Sequence, residues 1–142
     1  MGIKLQGLRA DLNKETDGVW VPCSIGGEIK VCRANNPNWK KRERELRRPW
    51  RQTIRQGRDI PESAAEEITS KLLAYEGIKD WKGLPFTDDD GNNIEVPFSA
   101  KAAFEIFCDE EMKDFREEVA AACLNREFFS RDDEPSEEDE MD

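Results

Sequence analysis

"VCRANNPNWKKRER", residues 31–44, opens as an alternating strand and becomes a strongly basic helix across Asn35, Asn36 and Pro37. Either asparagine can cap that helix through its side-chain carbonyl, and Pro37 suits the first helical position, where a missing N–H leaves no bond unmade. Downstream, Trp39, Leu46, Trp50 and Ile54 recur at spacings of seven, four and four, which is one helix face. Pro49 interrupts the run, so two helical pieces are expected to meet near Arg48 and to end by Gly57.

Upstream, "GVWVPC" (18–23) and "EIKVCRA" (28–34) read as strands around "SIGG", whose glycines permit a hairpin turn. Ile29, Val31 and Arg33 share one face, Lys30, Cys32 and Ala34 the other; neither face is wholly apolar, so the hairpin is expected to lie on the helices as a half-buried flap. Downstream, "DIPESAAEEITSKLLAYEG" sets Ala65, Ile68, Leu72 and Tyr75 on one helix face, with Gly77 as its C-terminal cap. "LPFTDDDGNNIEVPF" (84–98) reads as a loop or small hairpin around Asp90-Gly91. Ser99 caps a helix carrying Ala103, Phe104 and Phe107. Asp109 caps a last one carrying Met112, Phe115, Val119 and Ala122, and these phenylalanines form the expected centre of the core.

The fold class that follows is mostly α with a small N-terminal β-hairpin (α+β): one compact helix-rich domain over residues 1–130 and a disordered acidic tail over 131–142. The last eleven residues hold eight carboxylates and no base, too little apolar surface to offset the entropy of ordering.

Composition narrows function. The 142 residues carry a formal net charge of -10, 37% are apolar and 38% charged, and there is no histidine. That absence removes the commonest general base and most zinc sites. The four cysteines, Cys23, Cys32, Cys108 and Cys123, have no CxxC spacing and read as reduced thiols. "TDDDGNN" fails the EF-hand pattern, because setting Gly91 at position six puts Phe86 and Pro97 at positions one and twelve. No phosphate-cradling glycine loop or nucleophile elbow occurs. A non-enzymatic protein without metal or cofactor is expected, with no membrane partner, since no apolar run would span a bilayer and Gln6 stands where a myristoylation signal prefers Ser or Thr.

Residues 28–58 hold eleven lysines and arginines against three glutamates, whereas 105–142 hold sixteen acidic residues against four basic ones. The basic helix could bind nucleic acid through phosphate contacts and tryptophan stacking. Trp39 and Trp50, however, share the apolar face with Leu46 and Ile54, and buried rings cannot stack on bases. Charge-complementary assembly with a protein is then favoured over a nucleic-acid-binding accessory role in which the acidic tail masks helix 37–58.

The ordered motifs "GVWV" (18–21), "IKVCRANNPNW" (29–39), "YEGIKDW" (75–81), "DDGNNIEVPFS" (89–99) and "AKAAFEIFCDEEMKDF" (100–115) resemble the tail assembly chaperones of long-tailed bacteriophages over about residues 15 to 125. Trp39 and Tyr75 depart from the aromatic residues usual at those places. The resemblance implies a small helical protein of the host cytoplasm that binds the tape measure protein, promotes assembly of the tail-tube protein and is absent from the finished virion. Such chaperones often occur with a longer form of themselves extended by ribosomal frameshifting, and self-association is a further expected partnership. The candidate partner-binding residues are Trp20, Arg33, Asn35, Asn36, Arg47, Arg48 and Arg51.

Overall fold

A computed structural model describes residues 2–5 and 7–131; the acidic segment 132–142, expected to be a disordered tail, lies outside the described residues. Three strands, β1 (Val19–Pro22), β2 (Glu28–Val31) and β3 (Ile78–Lys82), form an antiparallel sheet in the order β1-β2-β3. Six α-helices accompany it among the described residues: α1 (Leu12–Asp17), α2 (Pro37–Arg47), α3 (Arg51–Arg55), α4 (Glu62–Leu72), α5 (Ala100–Phe107) and α6 (Lys113–Leu124). The class is the expected one, mostly α with a small sheet.

The hairpin is not a flap. β2 is the central strand, and Ile29 and Val31 are fully buried beneath α5 and α6. Its turn depends on Gly27, whose φ is 73° and where a Cβ would come within 2.5 Å of the Lys82 and Gly83 backbone. No side chain fits there.

β3 replaces the helix end expected at Gly77. α4 loosens into a π-helical turn, Leu73–Gly77, and passes directly into the strand. Gly77 has no positive φ; a side chain is excluded instead because its Cβ would lie 3.1 Å from Cys123 Sγ and 3.5 Å from the Trp39 ring. A register shift in β2 at Lys30/Val31 lets both Ile78 and Trp81 reach the core although they are three residues apart. Trp81 then anchors the 84–98 loop, donating from Nε1 to the Val96 carbonyl (2.7 Å) and meeting Phe86 and Phe98 at ring-centroid distances of 5.1 and 4.8 Å. Within that loop the Asp88 carboxylate accepts from the amides of Asp90 and Asn92, and Gly91 takes the left-handed conformation. Those amides hold the Asp88 carboxyl below its ordinary pKa, the Asn92 bond foremost.

The expected caps form at Ser99 and Asp109. The core holds Trp39, Ile68, Leu72, Phe107, Phe115, Val119 and Phe129 with the strand residues. Four core assignments from periodicity fail. Ile54 and Ala65 are exposed, Phe104 is only half-buried under Lys71, and Met112 lies outside the core in the 3₁₀ turn before α6. For Ile54 the cause is the 3₁₀ turn Arg48–Trp50: three residues at about 120° each instead of about 100° rotate the following face by roughly 60°.

At the N-terminus, α1 has an Asp11 cap and a Gly18 stop, and no residue of it is buried. It is held by long-range backbone bonds: Asp11 N–H to the Phe129 carbonyl (2.8 Å) and Arg33 N–H to the Glu15 carbonyl (3.0 Å). A further bond runs from the Arg131 amide to the Arg9 carbonyl at 3.1 Å. The two ends of the domain are thus tied together.

Two phenylalanines on α5 separate core from surface. Phe107→Ala should cost about 3–5 kcal/mol in urea denaturation, and Phe104→Ala about 1 kcal/mol. A reversed ranking would mean that the buried face of α5 is misassigned.

Candidate functional site

The strand-to-helix junction is organised by Asn36. Its side-chain oxygen accepts from the amides of Asn38 (2.8 Å) and Trp39 (3.0 Å), capping α2. Its amide nitrogen donates to the carbonyls of Arg33 (2.7 Å) and Glu15 (3.2 Å). Asn35 supplies the turn by adopting φ 67°. Asn36 is buried and committed to four internal bonds, which leaves nothing with which to hold a partner.

From this junction α2 presents two faces. Inward, Trp39 is buried, and Arg42 lies over the Tyr75 ring (5.0 Å) while its Nε meets Glu76 at 2.6 Å. Glu76 also receives Lys79 at 3.4 Å. This nearly buried carboxylate is absent from the sequence reading, because nothing in "LAYEG" distinguishes it from a solvated glutamate.

Outward, Arg44, Arg47, Arg48, Arg51 and Arg55 line an open groove of about 360 Å³ with Ile54 as its apolar floor. Arg47 meets Glu43 at 3.0 Å on the same helix, a half-exposed pair worth about 0.3–0.5 kcal/mol. Among the described residues no carboxylate pairs with Arg44, Arg48, Arg51 or Arg55. No aromatic ring lines this groove, and Trp50 is half-buried against the core. The structure therefore brings together Arg47, Arg48 and Arg51 of the seven candidates.

The other four lie apart from that groove. Arg33 pairs with Glu15 at 3.0 Å and ties β2 to α1. Trp20 stands on β1, part-exposed, with the Lys82 ammonium 4.3 Å from its ring centroid, and Lys82 also meets Glu28 at 3.3 Å.

Two further surfaces were not singled out by sequence patterning. Ile3, Leu5, Leu8 and Leu12 line one shallow depression and are 92, 68, 61 and 71% exposed. A second groove runs between α4 and α6, over Ala65, Leu73, Ala120, Ala121 and Leu124, with Glu62, Glu66 and Glu117 beside it. The alternation of Ile3 and Leu5 was visible in the sequence; the inter-helix groove was not, because it joins residues more than fifty positions apart.

The thiols show no activation. Cys23, Cys32 and Cys123 are buried, and burial raises each pKa, that of Cys123 to about 12. Cys108 is exposed, yet desolvation still raises it. Glu118 accepts from the Ser24 hydroxyl and amide at 2.6 and 2.7 Å, bonds that lower its pKa. Among the described residues no three metal-ligating side chains come together, and no helix is long and apolar enough to cross a membrane.

Fold and surface together define a small α+β domain with its unpaired arginines on one helical stripe and its apolar side chains exposed elsewhere. A family model described as YdaY prophage protein matches residues 34–139, well over half of the chain. The chain therefore belongs to the YdaY prophage protein family and is phage-derived. No curated protein and no solved structure matches it.

The two asparagines are separable by experiment. Asn36→Ala should cost about 2–4 kcal/mol, since it removes the cap and leaves two buried carbonyls short of a donor. Asn35→Gly should be neutral or slightly stabilising, and Asn35→Val should cost about 1–2 kcal/mol. Thermal and urea melts of the three variants check this; an unchanged Asn36→Ala would return that residue to the partner-binding candidates.

Proposed function

We propose that the protein is a non-enzymatic tail assembly chaperone that binds the tape measure protein in the host cytoplasm, promotes tail-tube assembly and is absent from the mature virion. The prophage family and the resemblance of the ordered motifs support this reading. The observation that carries it is the exposed row Ile3, Leu5, Leu8 and Leu12. A long helical protein exposes apolar surface until a tube covers it, and a small, highly charged domain offering aliphatic side chains can shield that surface and keep the complex dispersed. A net charge of -10 serves the second requirement.

Co-expression tests it. The neighbouring genes should encode a tail-tube protein and a very long, helix-rich protein, and the chaperone should keep the long protein soluble. Leu5→Asp with Leu8→Asp should lower the soluble yield by about tenfold, with the variant's own melting temperature unchanged because neither side chain is buried. Failure of the unmodified protein to associate with either neighbour would remove the reading. Micromolar or tighter binding to duplex or single-stranded DNA at about 50 mM salt would replace it with nucleic-acid binding through the arginine stripe.

A further inference from the structure

The arginine stripe and the α4/α6 groove are complementary in shape and charge, and they share no residue. On the stripe, Ile54 is 47% exposed and is surrounded by guanidinium groups, four of which have no carboxylate partner among the described residues. In the groove, of about 520 Å³, the alanines at 65, 120 and 121 leave room for a branched side chain above the buried Leu73. Leu124, 66% exposed, stands at its edge. Glu62, Glu66 and Glu117 flank it, and none of the three has an ion-pair partner among the described residues. The groove's one base, Arg116, is engaged by the Ser70 hydroxyl at 3.3 Å.

We propose that this groove is the docking site for the arginine stripe of a second copy of the chain, with Ile54 seated over the alanines and its neighbouring arginines against the glutamates. The groove's chemistry calls for a basic helix with a central aliphatic residue, and α2–α3 supplies that element. Because stripe and groove are different surfaces, each copy uses one of them on each neighbour, so the contact is heterologous and repeats from copy to copy. Opposing it is the repulsion between two chains of net charge -10. That repulsion acts over distances beyond the Debye length of about 8 Å at physiological salt and is screened, whereas charges in contact are screened much less. The result is concentration-dependent association that weakens at high salt.

This inference is independent of the tape measure reading, and the two fail separately. Variants of Leu5 and Leu8 leave self-association intact, and loss of self-association says nothing about the long partner's solubility. Sedimentation equilibrium of the full chain at about 0.15 M salt should show mass rising with concentration. Arg51→Glu with Arg55→Glu, and separately Glu62→Lys with Glu66→Lys, should each weaken association by about tenfold or more. All four positions are exposed, and unchanged circular dichroism would show that both variants fold. Mixed one to one, the two variants should associate again, since the reversed stripe of one then meets the reversed groove of the other. A parent that stays monomeric at several hundred micromolar, variants that associate like the parent, or a mixture that does not recover would each overturn the proposal. Association that appears only after residues 132–142 are deleted would put the chain's own acidic segment on the stripe and overturn it too.

Discussion

A single carboxamide, that of Asn36, holds the two halves of the domain in register. It is buried, it terminates the strand segment and starts α2, and its two donated bonds reach back to Arg33 and across to Glu15. Its amide and carbonyl ends face partners of opposite type, so no other residue of that size satisfies all four. Immediately around it, the Ala34 amide donates to the Cys123 carbonyl and the Cys32 amide to the Gly77 carbonyl. The central strand, α1, α2, α6 and the π-helical turn therefore meet within six residues of sequence. The direction of the arginine stripe relative to the core is fixed there.

Local chemistry was legible because it depends on neighbours in sequence. The Asn-Pro helix start, the Ser99 and Asp109 caps and the polar turn at Asp88 to Asn92 each follow from residues within four positions of one another. β3 was not legible. Its two core residues, Ile78 and Trp81, have a spacing of three that suits a helix, and only the register shift in the neighbouring strand brings both inward. A bulge is a property of the pair of strands and leaves no mark on one of them.

The same division applies to function. A basic stripe was evident from composition along one helix, and Arg47, Arg48 and Arg51 do lie together. Ile54 was assigned inward because its period was extrapolated through a 3₁₀ turn, and it proves to be the apolar floor of the arginine groove. Asn35, Asn36 and Arg33 drew notice as an unusual polar cluster, and their unusual character is architectural: a left-handed backbone, a cap and an ion pair. A polar residue that stands out in a sequence can be meeting a demand of the backbone as readily as that of a partner.

The cysteines give the fold a built-in record of its own motion. Cys123 packs where Gly77 lacks a side chain, and burial keeps its thiol protonated far above neutral pH. Cys108 sits at the surface of the same domain. An alkylating reagent can therefore reach Cys108 from the native state, while Cys123 reacts only in those moments when α6 parts from the π-helical turn. The ratio of the two labelling rates measures how often the centre of the domain opens, without any probe added to the chain.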